Sequence, residues 1–195
     1  MSENPPRFDW DEFGSILALA LTSRASCLRA AVACVILDKK GNVVSSGYNG
    51  SRRGELHCRD AGVGCDIIDG HCVRTIHDAI NALNRAEEIG RYHELKDNCR
   101  FYSTHRPCNS SGCFDNLVAA GIKYICFMVD YRSEEIKEYQ ERICKERNII
   151  LKQFKYDNPV PLMQRLIDFH QGPGGLLIAR NRLTIEEHIP EMMDH

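Results

Sequence analysis

The sequence has little net charge, no membrane-length apolar run and no low-complexity segment, and each absence narrows the reading. Its 195 residues carry 25 basic and 27 acidic side chains, a formal charge of −2. Proteins that bind polyanions usually show a basic face or a basic overall balance, so DNA and RNA are not expected partners. No apolar run approaches the roughly 20 residues that a membrane-spanning helix needs. The opening residues, Met1-Ser2-Glu3-Asn4-Pro5-Pro6, lack the basic and apolar regions of a secretory leader. A cytoplasmic protein with no membrane partner is therefore expected. No internal repeat is visible either. A composition of 43% hydrophobic and 27% charged residues fits a globular domain with its own core.

Cysteine, by contrast, is abundant: there are ten. Without a secretory leader, disulfides are the less favoured explanation, which leaves metal ligation and burial as small hydrophobes. Cys34 and Cys126 lie inside the apolar runs 31–37 and 124–129 and fit burial. Cys99 and Cys144 carry no motif. The remaining six fall into two groups. His77 stands at the start of one expected helix, and Pro107-Cys108 with Cys113 stands where another should begin. One imidazole and two thiolates leave the fourth position of a zinc ion open, as in catalytic sites, whereas structural sites are closed by four protein ligands. Helix N-termini suit such ligands, because the dipole and free amides there stabilise thiolates. The second group is Cys27, Cys58, Cys65, His71 and Cys72. Four of these could close a structural zinc, with His71 the alternate fourth ligand, and the competing reading is a set of reduced thiols.

Periodicity supplies the frame. Asp9 to Glu12 reads as an N-cap and capping box, followed by Phe13, Ile16, Leu17, Ala20 and Leu21 on one helical face. Residues 31–37 and 43–48 read as a hairpin around a polar turn, and 49–70 as a long loop pinned by Cys58 and Cys65. Helices are expected over 75–89, 113–120 and from Ser133 to 147, with strands over 100–103, 124–129 and 149–151. The alternation argues a three-layer α/β/α sandwich, a mixed five-stranded sheet with helices on both faces. Residues 1–152 form the expected domain and 153–195 an extension of it, with a short helix over 159–170, a break at Gly172-Pro173-Gly174-Gly175, and a last short helix started by Thr184 with Glu187.

The chain resembles the deoxycytidylate (dCMP) deaminases, including their late-competence and bacteriophage branches, over roughly residues 9 to 152. The resemblance is carried by Asp9-Trp10-Asp11-Glu12, Cys27-Leu28-Arg29, Gly47-Tyr48-Asn49-Gly50-Ser51, Asp69 to His77, Asn81-Ala82, Ser103-Thr104-His105 to Cys108, and Ala120-Gly121-Ile122. It implies a cytidine-deaminase-like fold and hydrolysis of the cytosine 4-amino group to give a uracil nucleotide and ammonia. In that chemistry zinc activates a water for attack at C4, and a glutamate moves its proton. It further implies a homo-oligomer, hexamer or dimer, and candidate dCTP or dTTP effectors. Asn49 matches a nucleotide-contacting position, and Ser51, Arg29, Arg74 and Tyr131 are further candidates for phosphate, sugar or base contacts.

Three departures qualify the resemblance. Ala79 occupies the position of the family's glutamate, and a methyl group cannot carry a proton. Asp78 is an unsuitable substitute, because neighbours on a helix point about 100° apart. Either the chain is a natural, catalytically silent member, or its glutamate has been replaced in an active enzyme. The intact ligands and nucleotide loop favour the second. Next, Asn109-Ser110-Ser111-Gly112 makes the Cys108–Cys113 link two residues longer than the family's usual spacing. Last, Ala33 stands where the family's first strand has glycine. The expected substrate is thus a deoxycytidine nucleotide of dCMP type, with dCTP and modified nucleotides as variants. The rivals are a nucleotide sensor that performs no chemistry and a polynucleotide cytidine or adenosine deaminase.

Overall fold

The computed structural model describes residues 6–68, 71–96, 99–130 and 132–171. The expected break at 172–175 and the helix expected from Thr184 lie outside them. Two compact units are present: Asp9–Asn158, and a second made from the chain ends, whose described residues are 6–8 and 159–171. The second unit holds a helix over Val160–Gln171, with Phe8 edge-on to Phe169 at 5.4 Å.

Within the larger unit, α1 (Trp10–Leu21) begins as its sequence dictates. Asp9 Oδ1 accepts from the Glu12 amide at 2.8 Å, and the Asp9 amide donates to Glu12 Oε2 at 3.0 Å. The helix then buries a different face from the apolar one. Glu12, Gly14, Ser15 and Ala18 are buried, while Phe13 is 37% exposed. The reason is closeness: Gly14 lies against the Tyr102 ring, where any Cβ would overlap it. Small side chains, not large apolar ones, let the helix approach the sheet. Buried Glu12 is matched by Lys155 at 2.7 Å.

The strands are β1 (Ala33–Leu37), β2 (Val43–Tyr48), β3 (Gly50–Ser51), β4 (Ile67–Ile68), β5 (His71–Cys72), β6 (Thr75–Ile76), β7 (Arg100–His105), β8 (Tyr124–Val129) and β9 (Ile150–Gln153). The main sheet runs β2-β1-β7-β8-β9. Its first three strands are antiparallel neighbours, and β7, β8 and β9 are parallel. The expected mixed five-stranded sheet is therefore present. The helices α2 (Asp78–Glu88), α3 (Cys113–Ala119) and α4 (Glu134–Arg147) cover one face, where Ile36, Phe101 and Ile125 pack with Leu83, Leu117 and Cys144. The α1 helix covers the other face.

Several boundaries moved. The α2 helix starts at Asp78, because Thr75–Ile76 pair with Gly50–Ser51 as a two-residue ribbon. The long loop likewise ends in paired residues, Ile67 opposite Cys72 and Ile68 opposite His71. Ser133 sits at the N-cap of α4 but its side chain makes no cap bond there. Among the described residues, no helix is long and apolar enough to cross a membrane.

Candidate metal centre

His77 is the N-cap of α2 and keeps extended backbone angles, φ −71° and ψ 153°. Its neighbourhood is tied down by Asn81, whose amide side chain donates to the Tyr48 carbonyl at 2.8 Å, and whose backbone N–H bonds the His77 carbonyl at 2.9 Å. Cys113 is the first residue of α3, preceded by Gly112 in the left-handed region at φ 68°. Cys108 is not at a helix start: it lies in the turn between β7 and α3, and its carbonyl accepts from the Phe114 amide at 3.0 Å. These elements bring the three donors together. His77 Nδ1 is 3.2 Å from Cys108 Sγ and 3.4 Å from Cys113 Sγ, and the two sulfurs are 3.4 Å apart.

Those distances fit a shared metal ion. A tetrahedral zinc with ordinary bond lengths has S···S edges of about 3.8 Å and S···N edges of about 3.6 Å. A disulfide would need about 2.05 Å, and all ten cysteines are free thiols. Ionisation supports the same fit. The hydrogen bond from the Cys113 thiol, joined by one from His77, outweighs burial and pulls Cys108 down to about 2. Donating that bond, together with burial, pushes Cys113 far above the usual thiol range. The hydrogen bond to Cys108 in turn raises His77 against its burial. With protons alone, the pair holds one thiolate; a divalent cation lets both ionise.

The second cluster also forms, from Cys27, Cys58, Cys65 and Cys72, whose sulfurs all lie within 4.8 Å of one another. Cys27 and Cys65 approach to 3.8 Å, and Cys58 and Cys72 to 3.6 Å. Burial and the bond to Cys72 push Cys58 up to about 12. Burial opposes ionisation of Cys72 as well, but the Arg74 amide and the Cys58 and Thr75 side chains bring it down to about 7. His71, the alternate ligand, is not in this cluster and instead lines a cavity.

That cavity, of about 290 Å³, touches both clusters: His77 lies in its wall, as do Cys27 and Cys72. Arg29, Arg106 and Arg132 line it, with His71 and His105, while Asp78 is its one acid among the described residues. Asp78 is buried, which raises its pKa, and it accepts from Ser103 Oγ at 3.0 Å. Arg106 is paired with Asp130, so Arg29 and Arg132 supply the positive charge of the lining. Asn49 lines the cavity too, but its side chain is engaged, donating to the Ala30 carbonyl at 2.7 Å and accepting from the Val32 amide at 3.0 Å. Ala79 is buried in the core cluster that contains Cys108 and Cys113.

The family model described as "Cytidine and deoxycytidylate deaminase zinc-binding region" matches residues 8–129. The chain belongs to this family. Among its relatives, ComE operon protein 2 of Bacillus subtilis (strain 168) is 31% identical over 155 residues, covering 79% of this chain and 76% of that protein. Deoxycytidylate deaminase of Saccharomyces cerevisiae is 29% identical over 77% of this chain, which spans only 46% of the yeast protein's length. The fold agrees with that of dCMP deaminase from the cyanophage S-TIM5 in complex with dCMP and dUMP: TM-score 0.57, 18% identity, 76% of this chain and 99% of that one.

The deaminase fold does not gather every candidate residue. Arg29 and Asn49 reach the cavity, but Ser51 is absent from its lining, and Arg74 lines a separate cleft with Arg52, Glu55 and Asp66. Tyr131 lies outside the described residues. Conversely, His105, Arg106 and Arg132 were given no role by the sequence pattern. They lie at or just past the carboxyl ends of the parallel strands β7 and β8, where open α/β sheets place ligands, and that position was the available signal.

Proposed function

We propose that this chain carries the site of a zinc-dependent hydrolytic deaminase of deoxycytidine nucleotides, dCMP or a close variant. His77, Cys108 and Cys113 hold the zinc, and the cationic cavity takes the nucleotide. The observation that carries this reading is the meeting of His77 Nδ1 and two thiol sulfurs within 3.4 Å of one another, with His77 in the wall of a cavity lined by three arginines. Zinc so held supplies water activation at neutral pH. Arg29 and Arg132 supply charge for phosphate. Arg106 is committed to Asp130 at 2.8 Å and shapes the wall. The relatives support a nucleotide substrate: three are deoxycytidylate deaminases by name, and the cyanophage enzyme is bound to dCMP and dUMP.

Ala79 leaves the proton shuttle vacant, so the chain turns over slowly while still binding nucleotide. The Ala79→Glu variant restores a carboxylate able to move a proton from water to the base and the leaving ammonia. Its turnover is expected to rise about 10²–10⁴-fold. The assay offers dCMP, dCTP, modified deoxycytidine nucleotides and single-stranded DNA, with zinc content measured. No uracil product from any of them in the zinc-loaded variant would sink the enzyme reading. Ala79 also favours a second reading, a silent nucleotide sensor, which predicts tight zinc-dependent binding with no turnover in either form.

The spacing of Cys27, Cys58, Cys65 and Cys72 supports a second, structural zinc closed by four thiolates. Assembly into a homo-oligomer, nucleotide effectors and a cytoplasmic location complete the proposal, as does treatment of residues 153–195 as an extension of the deaminase domain.

A further inference from the structure

The segment 109–112 that lengthens the link between Cys108 and Cys113 is held firmly on one side and meets the metal centre on the other. On the anchored side, Asn109 Oδ1 accepts from Gln140 Nε2 at 2.7 Å, and the same nitrogen reaches the Pro107 carbonyl at 2.9 Å. Gln140 is fully buried, at 0% exposure, and its Oε1 accepts from Arg106 Nε at 2.7 Å. Arg106 in turn pairs with Asp130 at 2.8 Å and lies over the Phe127 ring at 5.1 Å. A hydrogen-bonded chain, charge-assisted at Arg106 and running through the buried Gln140, thus fixes Asn109 to α4 and to the end of β8. The turn closes through the Gly112 amide on the Asn109 carbonyl at 2.8 Å and Asn116 Nδ2 on the Gly112 carbonyl at 2.8 Å.

On the other side, Ser111 Oγ stands 3.4 Å from His77 Nε2, a long hydrogen bond. The opposite ring nitrogen, Nδ1, is the one that faces both sulfurs. A histidine that binds metal through Nδ1 carries its proton on Nε2, and an acceptor there fixes both tautomer and ring orientation. We propose that the 109–112 segment is an outer clamp on the metal site, in which Ser111 accepts the Nε2 proton of His77 and the Asn109–Gln140–Arg106 chain holds Ser111 in place. Ser111 is a positioning residue. The proposal rests on the reading of His77, Cys108 and Cys113 as zinc ligands. The competing account makes the extra residues a spacer whose side chains do not matter.

The test is zinc competition against a chelator, run on the full chain, with the relevant zinc assigned as the one lost in His77→Ala. Outer hydrogen-bond partners of metal-bound histidines are typically worth 10–100-fold in metal affinity. Ser111→Ala is therefore expected to weaken that zinc about 10-fold, while Ser111→Thr, which keeps the hydroxyl, stays within about 2-fold of the parent. Asn109→Ala should weaken it as well. Nitrogen-15 spectra of the imidazoles supply a readout that loss of packing would not move: the His77 Nε2 proton exchanges faster in Ser111→Ala and not in Ser111→Thr. Unchanged affinity and exchange in Ser111→Ala would overturn the clamp, and so would equal losses in the Ala and Thr variants. If His77→Ala retains all its zinc, the ligand reading itself fails, and the clamp fails with it.

Discussion

Single residues in this protein owe their roles to their surroundings. His105 was legible only as part of a family match, yet it lies in the cavity wall, with Thr104 Oγ1 3.1 Å from its Nδ1. Burial lowers its pKa from the ordinary 6.5, and the Arg132 charge lowers it further. The unfolded chain therefore takes up this proton first as the pH falls, and stability drops from about pH 6.5 downward. His105→Gln should flatten that slope, measured as the difference in urea midpoints between about pH 7 and about pH 5.5. An identical slope in the variant would remove His105 as the cause. Cysteine shows the same dependence on context. Cys34 and Cys126 are buried, as the apolar runs around them imply. The sorting of Cys27, Cys58, Cys65 and Cys72 into one cluster, with His71 excluded, needed the folded chain.

At the scale of elements, the periodic pattern located each strand of the main sheet and each α-helix of the described residues, missed the short 3-10 helices at Thr22–Arg24 and Tyr92–Leu95, and erred on faces and starts. The apolar stripe on α1 names Phe13 as core, whereas the structure buries Gly14, Ser15 and Ala18 against the sheet. Hydrophobic pattern measures which side chains prefer burial; it does not measure how close two backbones must come. The contact of α2 with β2 makes the same point. Gly47 sits where a Cβ would overlap the Asp78 carbonyl and the Ala82 amide. Gly47→Ala should therefore push α2, and His77 with it, off the strand, at a cost of about 1–3 kcal/mol. A urea titration checks this, and an unchanged midpoint would show that the helix has slack. The Ser45 hydroxyl, bonded to the Ala82 carbonyl at 2.7 Å, marks the same close approach.

At the scale of the whole molecule, both clusters reach one cavity, through His77 and through Cys27 and Cys72, and the described residues of the segment 49–72 gather a small buried cluster of cysteines. The ribbons β4 and β5 are two residues each, and Ile67 and Ile68 are half-exposed. The four thiols tie this region together, alongside the Gly50–Ser51 pairing with Thr75–Ile76 and the bond from Arg59 to the Ala25 carbonyl. A strong chelator is therefore expected to lower the thermal midpoint by on the order of 10 °C, with amide exchange rising first over 50–68. Unchanged exchange there after zinc removal would argue that the thiols alone suffice.

The sequence by itself determined the ingredients: a mixed α/β order of elements, a histidine and two cysteines spaced as candidate ligands, and an alanine at position 79, where the proposed chemistry would use an acid. These are local properties, since periodicity, capping at Asp9 and ligand type are written in neighbouring residues. Tertiary structure alone decided which donors meet, which helix face is buried, and that Arg29, Arg106, Arg132 and His105 share one cavity with His77. Those depend on distances between segments far apart in the chain, fixed by the β7–β8 register and by the close seats of α1 at Gly14 and α2 at Gly47.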